Sequence, residues 1–118
     1  MGTFTYPIRL AGLDTPEARE IEAMVDTGAF YTTLPERLCN ELGVAREGSQ
    51  SFLLADGRRV EFDYGQAWAT IGDKSVVTIV VFGTEEAPAL LGAYTLEGFC
   101  LAVDPVNQCL VPITPLMC

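Results

Sequence analysis

Turn signals recur at short intervals along this chain, and that cadence restricts it to a fold of short strands joined by hairpins. Between residues 51 and 82 the runs Ser51 to Leu54, Arg59 to Tyr64, Gln66 to Ile71 and Ser75 to Phe82 are of β type, with Asp56-Gly57 and Gly72-Asp73 as turns. Asp-Gly suits a tight hairpin because the turn needs positive φ, which Gly adopts freely and Asp tolerates. Upstream, Phe4, Tyr6, Ile8 and Leu10 alternate with Thr5, Pro7, Arg9 and Ala11, the period of a half-buried strand, and Pro7 marks an edge.

The remaining segments add two helices. Leu13-Asp14-Thr15-Pro16-Glu17 turns the chain, and Ile21 to Val25 is a short apolar run read as a buried strand ending where Asp26 begins a loop. Tyr31 to Leu34 gives another strand. Pro35 at a first helical position, Leu34, Leu38 and Leu42 at helical spacing, and Gly43 as a stop predict a helix of about two turns. After a polar connection at Thr84 to Pro88, Ala89-Leu90-Leu91 runs into Gly92, a helical Tyr94 to Phe99, and a last hairpin, Cys100 to Val103 with Gln108 to Val111, turned at Asp104-Pro105. Pro112 and Pro115 keep the tail out of a central strand. The reading is an all-β domain with two short helices and no parallel βαβ unit. At 118 residues, without repeat or linker, it is expected to be one domain over residues 1–118.

Composition removes several kinds of chemistry. The chain has no histidine, so Ser-His-Asp and Cys-His mechanisms are excluded together with the commonest zinc ligand. Its acidic residues lack the spacing of a calcium loop, so no metal and no cofactor is expected. Seven Lys and Arg against sixteen Asp and Glu give a formal charge of -9, which opposes nucleic-acid binding. The same acidity fits plain solubility and a field that attracts basic peptides. Cys39, Cys100, Cys109 and Cys118 show no Cys-x-x-Cys pairing and are read as reduced, packing thiols. No signal peptide is seen, and the longest apolar run, Val76 to Phe82, is too short to span a bilayer, so a cytoplasmic protein without membrane contact is expected.

Hydrolysis by such a chain must therefore run on carboxylates, and one carboxylate stands out. Asp26 follows the apolar Ala23-Met24-Val25 and precedes Thr27-Gly28-Ala29 and then Thr32-Thr33-Leu34. Midway comes a Gly-tipped hairpin, Leu53-Leu54-Ala55-Asp56-Gly57-Arg58, and later Leu90-Leu91-Gly92 opens a helix. In this order, over roughly residues 3 to 104, the chain resembles the retropepsin-like, single-lobed aspartic proteases.

The resemblance implies a closed acid-protease β-barrel with a homodimeric active site. Asp26, Thr27 and Gly28 would be catalytic, the chain holding a single Asp-Thr-Gly and no Asp-Ser-Gly, so that a second copy supplies the second aspartate. Two carboxylates about 3 Å apart repel by roughly 5 kcal/mol even at an effective dielectric of 20, so they share one proton. The protonated one donates to a peptide carbonyl while the ionised one takes a proton from water. The Thr27 hydroxyl would bond across the two-fold axis. Ala29, Met24, Thr33 and Leu90 are the substrate-contact candidates, with core packing an equal reading for Met24, Thr33 and Leu90. Leu91 and Gly92 would support the loop from below. On the residues alone Asp56-Gly57 is equally a surface turn or a mobile flap. The resemblance makes Ala55, Asp56, Gly57 and Arg58 the flap that closes over a peptide or protein substrate.

Two departures stand out. Retroviral members usually carry an acidic residue after the Ala of the loop and an Arg after the later Gly, and here Phe30 and Ala93 hold those places. Loss of both partners together leaves no lone buried charge and predicts apolar packing instead. The tail also continues through a hairpin to Ile113–Cys118, so the dimer sheet is expected to be built differently. The loss of the ion pair favours a cellular or microbial member over a viral one. The competing function is a catalytically silent peptide-binding or dimerisation module on the same fold.

Overall fold

The computed structural model describes residues 4–15 and 17–116; the expectations that involve Thr3, Pro16 and Cys118 lie outside the described residues. In chain order the elements are β1 (Thr5–Gly12), β2 (Arg19–Val25), β3 (Thr32–Pro35), α1 (Glu36–Leu42), β4 (Gly48–Leu53), β5 (Arg59–Ile71), β6 (Lys74–Gly83), β7 (Leu90–Leu91), α2 (Ala93–Gly98), β8 (Leu101–Asp104) and β9 (Cys109–Pro112). The fold is mostly β with two short helices, as the cadence of turns predicts.

Hydrogen bonding orders the main sheet β1-β2-β7-β3-β6-β5-β4, and β1 also pairs with β5. The ring therefore closes from β1 through β2, β7, β3, β6 and β5 back to β1, with β4 added on the near half of β5. Closure follows from the length of β5: its residues 67–70 face β1, while residues 59–64 face β4. The sequence divides this strand after Tyr64, whereas the structure runs it unbroken through Gly65. Gly65 is there for close approach, since a Cβ on it would lie 2.1 Å from the Ala45 carbonyl oxygen.

Two pairings are parallel, β2 with β7 and β3 with β6, which hairpin reasoning does not anticipate because the partners lie far apart in sequence. Pro35 also differs from expectation. It ends β3 in an extended conformation (φ -54°, ψ 142°) and caps α1 rather than opening its first turn.

Ile8, Leu10, Ala23, Val25, Leu34, Leu42, Ala67, Ala69, Val80, Phe82, Leu91, Leu96 and Phe99 fill the interior of the ring. Removing a side chain of Leu or Ile size from water contributes about 1.5–3 kcal/mol, so the strands hold together chiefly through this interior. Cys39 is completely buried within it, and burial pushes its thiol up to about 12, which keeps it protonated and unreactive. β8 and β9 form a separate two-stranded sheet whose Leu101, Val103 and Leu110 pack onto the same core. Its turn is held by Asp104 Oδ1, which accepts from the Val106 and Asn107 amides at 3.1 and 3.2 Å. Among the described residues no helix is long and apolar enough to cross a membrane.

Candidate active site

The parallel pairing of β2 and β7 decides where Asp26 stands. Met24 is in register with Leu90 and Val25 with Leu91, so the two strands end side by side and release the Asp26 loop and α2 at one edge. The Met24 amide donates to Ala89 O at 2.9 Å and the Asp26 amide to Leu91 O at 3.1 Å, which fixes the start of the loop. The loop then folds on itself. The Ala29 amide donates to Asp26 O at 3.1 Å, and the Gly28 amide donates to the Asp26 carboxylate Oδ1 at 2.9 Å. Its far side is clasped by α2, where the Ala93 and Tyr94 amides donate to Ala29 O and Phe30 O, each at 2.9 Å. Backbone bonds on both flanks thus orient a half-buried carboxylate, with Thr27 and Gly28 exposed beside it.

Beneath the loop lies a chain of buried hydroxyls. Thr95 Oγ1 sits 2.6 Å from Thr32 Oγ1 and 2.8 Å from Thr78 Oγ1, and Thr32 Oγ1 accepts from the Gly92 amide at 3.1 Å. All three threonines are essentially inaccessible to solvent. The network ties β3, β6 and α2 to the Gly92 junction. Gly92 itself admits no side chain, because a Cβ there would meet the Tyr31 carbonyl carbon at 2.5 Å.

Beside the loop opens a cleft of about 660 Å³, lined at one end by Gly28, Ala29 and Phe30. Its walls include Tyr31, Thr33, Phe52, Leu53, Leu54, Phe62 and Leu90, and among the described residues that line it none is charged. Aromatic rings meet edge to face or tilted along this wall: Phe30 with Tyr31 at 4.7 Å, Tyr31 with Phe52 at 6.2 Å and Phe52 with Phe62 at 6.0 Å between centroids. Each such contact contributes about 0.5–1.5 kcal/mol beyond area burial. The surface is uncharged and suited to apolar side chains.

The β4–β5 hairpin forms one wall of the cleft. At its tip the Gly57 amide donates to Leu54 O at 2.9 Å and the Leu54 amide to Arg58 O at 2.8 Å, with Gly57 at φ 89°. Asp56 Oδ1 accepts from the Arg58 amide at 3.0 Å and Oδ2 from the Arg58 guanidinium at 2.7 Å. These bonds hold the Asp56 carboxyl below the usual carboxylate range, the backbone amide contributing most. Farther along β5, Asp63 is held low in the same manner by the Ser49 hydroxyl and then by Arg46. Arg46 also bonds Glu36 of α1 and lies 4.4 Å over the Phe82 ring, fastening the loop after α1 to the sheet.

Of the residues expected at the site, Asp26, Thr27 and Gly28 share one loop, and Gly28, Ala29, Thr33 and Leu90 meet at the cleft. Leu91 bonds the Asp26 amide at the start of the loop, and Gly92 bonds Thr32 just past its end. Met24 is half-buried on β2 and is not part of the cleft lining: its register with Leu90 puts it on the same sheet face as Leu90 and Thr33, which do line the cleft, but one strand farther out. Ala55, Asp56, Gly57 and Arg58 stand exposed at the hairpin tip, beyond the lining. Phe30, expected to pack, is 64% exposed.

Sequence reasoning missed the buried threonines and the aromatic wall. The wall had a signal, since Phe52, Val60, Phe62 and Tyr64 all fall on one face of a hairpin whose register follows from its turn. The network had none, because Thr32, Thr78 and Thr95 are remote in sequence, and the motif that contains Thr32 does not point to the other two. Among the described residues no group of three or more His, Cys, Asp or Glu side chains gathers as a metal site would.

Comparison with known proteins bears on the same region. The family model described as "gag-polyprotein putative aspartyl protease" matches residues 17–98, which span the Asp26 loop, the β4–β5 hairpin and the Gly92 junction. No curated protein matches. Among solved structures the chain is similar to the EIAV protease complexed with the inhibitor HBY-793, at 18% identity and a TM-score of 0.59, over 83% of this chain and 88% of that one. It is also similar to a retropepsin-like aspartic protease from Rickettsia conorii, at 20% identity and a TM-score of 0.56, over 88% and 89% of the two chains. A third similar structure is the Simian Foamy Virus (mac) protease, at 16% identity and a TM-score of 0.52, over 78% and 92%. At such identities the likeness concerns the fold, and the matched family span supplies the rest. The chain belongs to the retropepsin-like aspartic protease family.

Proposed function

We propose that this chain, acting as one domain over residues 1–118, is an aspartic endopeptidase that hydrolyses peptide bonds of extended peptides as a homodimer. The observation that carries the proposal is the Asp26 loop: one carboxylate, on a loop clamped by backbone bonds from β7 and α2, stands beside an uncharged cleft. Asp26 of each chain would contribute half of a dyad sharing one proton. Its ionised member removes a proton from water, and its protonated member donates to the scissile carbonyl, so no metal or covalent intermediate is required. Thr27, exposed beside Asp26, would brace the paired loops across the axis. The β4–β5 hairpin, with Ala55 to Arg58 at its tip, would act as the flap that closes over the peptide.

The test is cleavage of a mixed peptide library by purified protein, beside Asp26→Asn. Hydrolysis is expected in the first and a loss of about three orders of magnitude or more in the second, since general acid–base catalysis alone contributes 10²–10⁴-fold. The rate should follow a bell-shaped pH profile belonging to the dyad as a unit. Equal turnover by the two proteins would end the proposal. Peptide binding without cleavage would make the chain a binding module on this fold.

A further inference from the structure

The proposed dyad leaves open what holds two copies together, and the surface around the Asp26 loop supplies an answer that rests on that reading. Phe30 follows Asp26 by four residues, so the two lie at most about 14 Å apart even if the chain between them were extended. The bond from the Ala29 amide to Asp26 O folds that segment tighter. If two Asp26 carboxylates approach to hydrogen-bonding distance across a two-fold axis, an exposed side chain this close to them stands within reach of the partner. Phe30 is 64% exposed, and its ring packs against Tyr31 at 4.7 Å and Tyr94 at 6.4 Å. Tyr94 is itself 43% exposed and is bound to Phe30 through its amide at 2.9 Å. Two large, partly exposed aromatic side chains thus adjoin the half-site, Phe30 at the cleft and Tyr94 outside its lining.

We infer that Phe30 and Tyr94 form the contact with a second copy of this chain, an uncharged aromatic patch adjoining the dyad. The occupant is a second copy because the site is incomplete without one and because the patch is continuous with the catalytic loop. The contact is isologous, so each residue appears twice and each substitution counts twice. Its dependence on salt follows from charge. Each chain carries -9, so two copies repel at long range, and an uncharged contact offers no attraction for salt to screen. Association should therefore tighten or stay constant as salt rises.

Sedimentation equilibrium of wild type, Phe30→Ser, Tyr94→Ser and Val77→Ser, without substrate, tests this. Val77 is an exposed apolar residue on β6, paired with Trp68 and remote in sequence from the loop. The dimer dissociation constant is expected to rise about a hundredfold or more in Phe30→Ser, the size of a doubled interface anchor, clearly in Tyr94→Ser, and not in Val77→Ser. For wild type it should hold or fall between 0.05 and 1 M NaCl. Unchanged circular dichroism spectra and melting temperatures in the variants would show intact protomers. A wild type that dimerises as tightly as its Phe30 and Tyr94 variants would overturn this inference alone and leave the homodimer standing. A dissociation constant that rises severalfold with salt would also overturn it, in favour of a charge-paired interface. A wild type that stays monomeric at all concentrations would remove the homodimer itself.

Discussion

A buried hydroxyl costs free energy unless it is bonded, and in this chain Thr95 answers for two others. Replacing it with Val keeps the shape but strips Thr78 of its partner and leaves Thr32 with the Gly92 amide alone. A loss of about 1–3 kcal/mol is expected, the desolvation cost of an unmet buried polar group. Thr95→Ser keeps the hydroxyl and loses one methyl, about 0.8 kcal/mol. Urea denaturation of the two variants separates these outcomes, and equal stability would mean that the network carries no weight. Because the Ala93 and Tyr94 amides of α2 hold Ala29 and Phe30 by their carbonyls, the same substitution should also loosen the Asp26 loop.

At the scale of elements, the β4–β5 hairpin extends a turn held by two backbone bonds, to which the Asp56 carboxylate adds bonds to the Arg58 amide and guanidinium. Asp56 has a lowered pKa, so the stability it lends is present above the ordinary carboxylate range and is lost as pH falls through the depressed value. Hydrogen-exchange protection of the Leu54 and Gly57 amides should therefore persist from neutral pH into mild acid and fade only below that range. In Asp56→Ala it should be reduced throughout, with the β5–β6 ladder unaffected. Protection at the tip that is unchanged in Asp56→Ala would show that the backbone bonds between Leu54 and Arg58 suffice on their own. The remainder of the hairpin is braced by Ser49, Asp63 and Arg46, so the loosening is expected to stay at the tip.

For the whole molecule the question is how many chains make a site. If two are needed, peptide hydrolysis at chain concentrations below the dimer dissociation constant should rise with the square of concentration. Above that constant it should become linear. First-order dependence where sedimentation shows monomers would place a complete site in one chain. The ring of strands is compatible with either stoichiometry, since its closure through β1 and β5 does not involve the Asp26 edge.

What the sequence determined by itself is local. The hairpins, the helix from Glu36 to Leu42, the end of β2 at Asp26 and the Gly92 junction all follow from period, turn chemistry and steric need over a few residues. The loop was legible because its chemistry lies in consecutive residues, Asp26-Thr27-Gly28. Tertiary structure alone decided the parallel pairings of β2 with β7 and β3 with β6, the unbroken run of β5 through Gly65, and the meeting of Thr32, Thr78 and Thr95. Those depend on which distant segments pack together, and no periodicity within one segment records its partner. Phe30 makes the same point: its place beside Asp26 is written in the chain, but its exposure is set by the bonds from Ala93 and Tyr94 that hold the loop against α2.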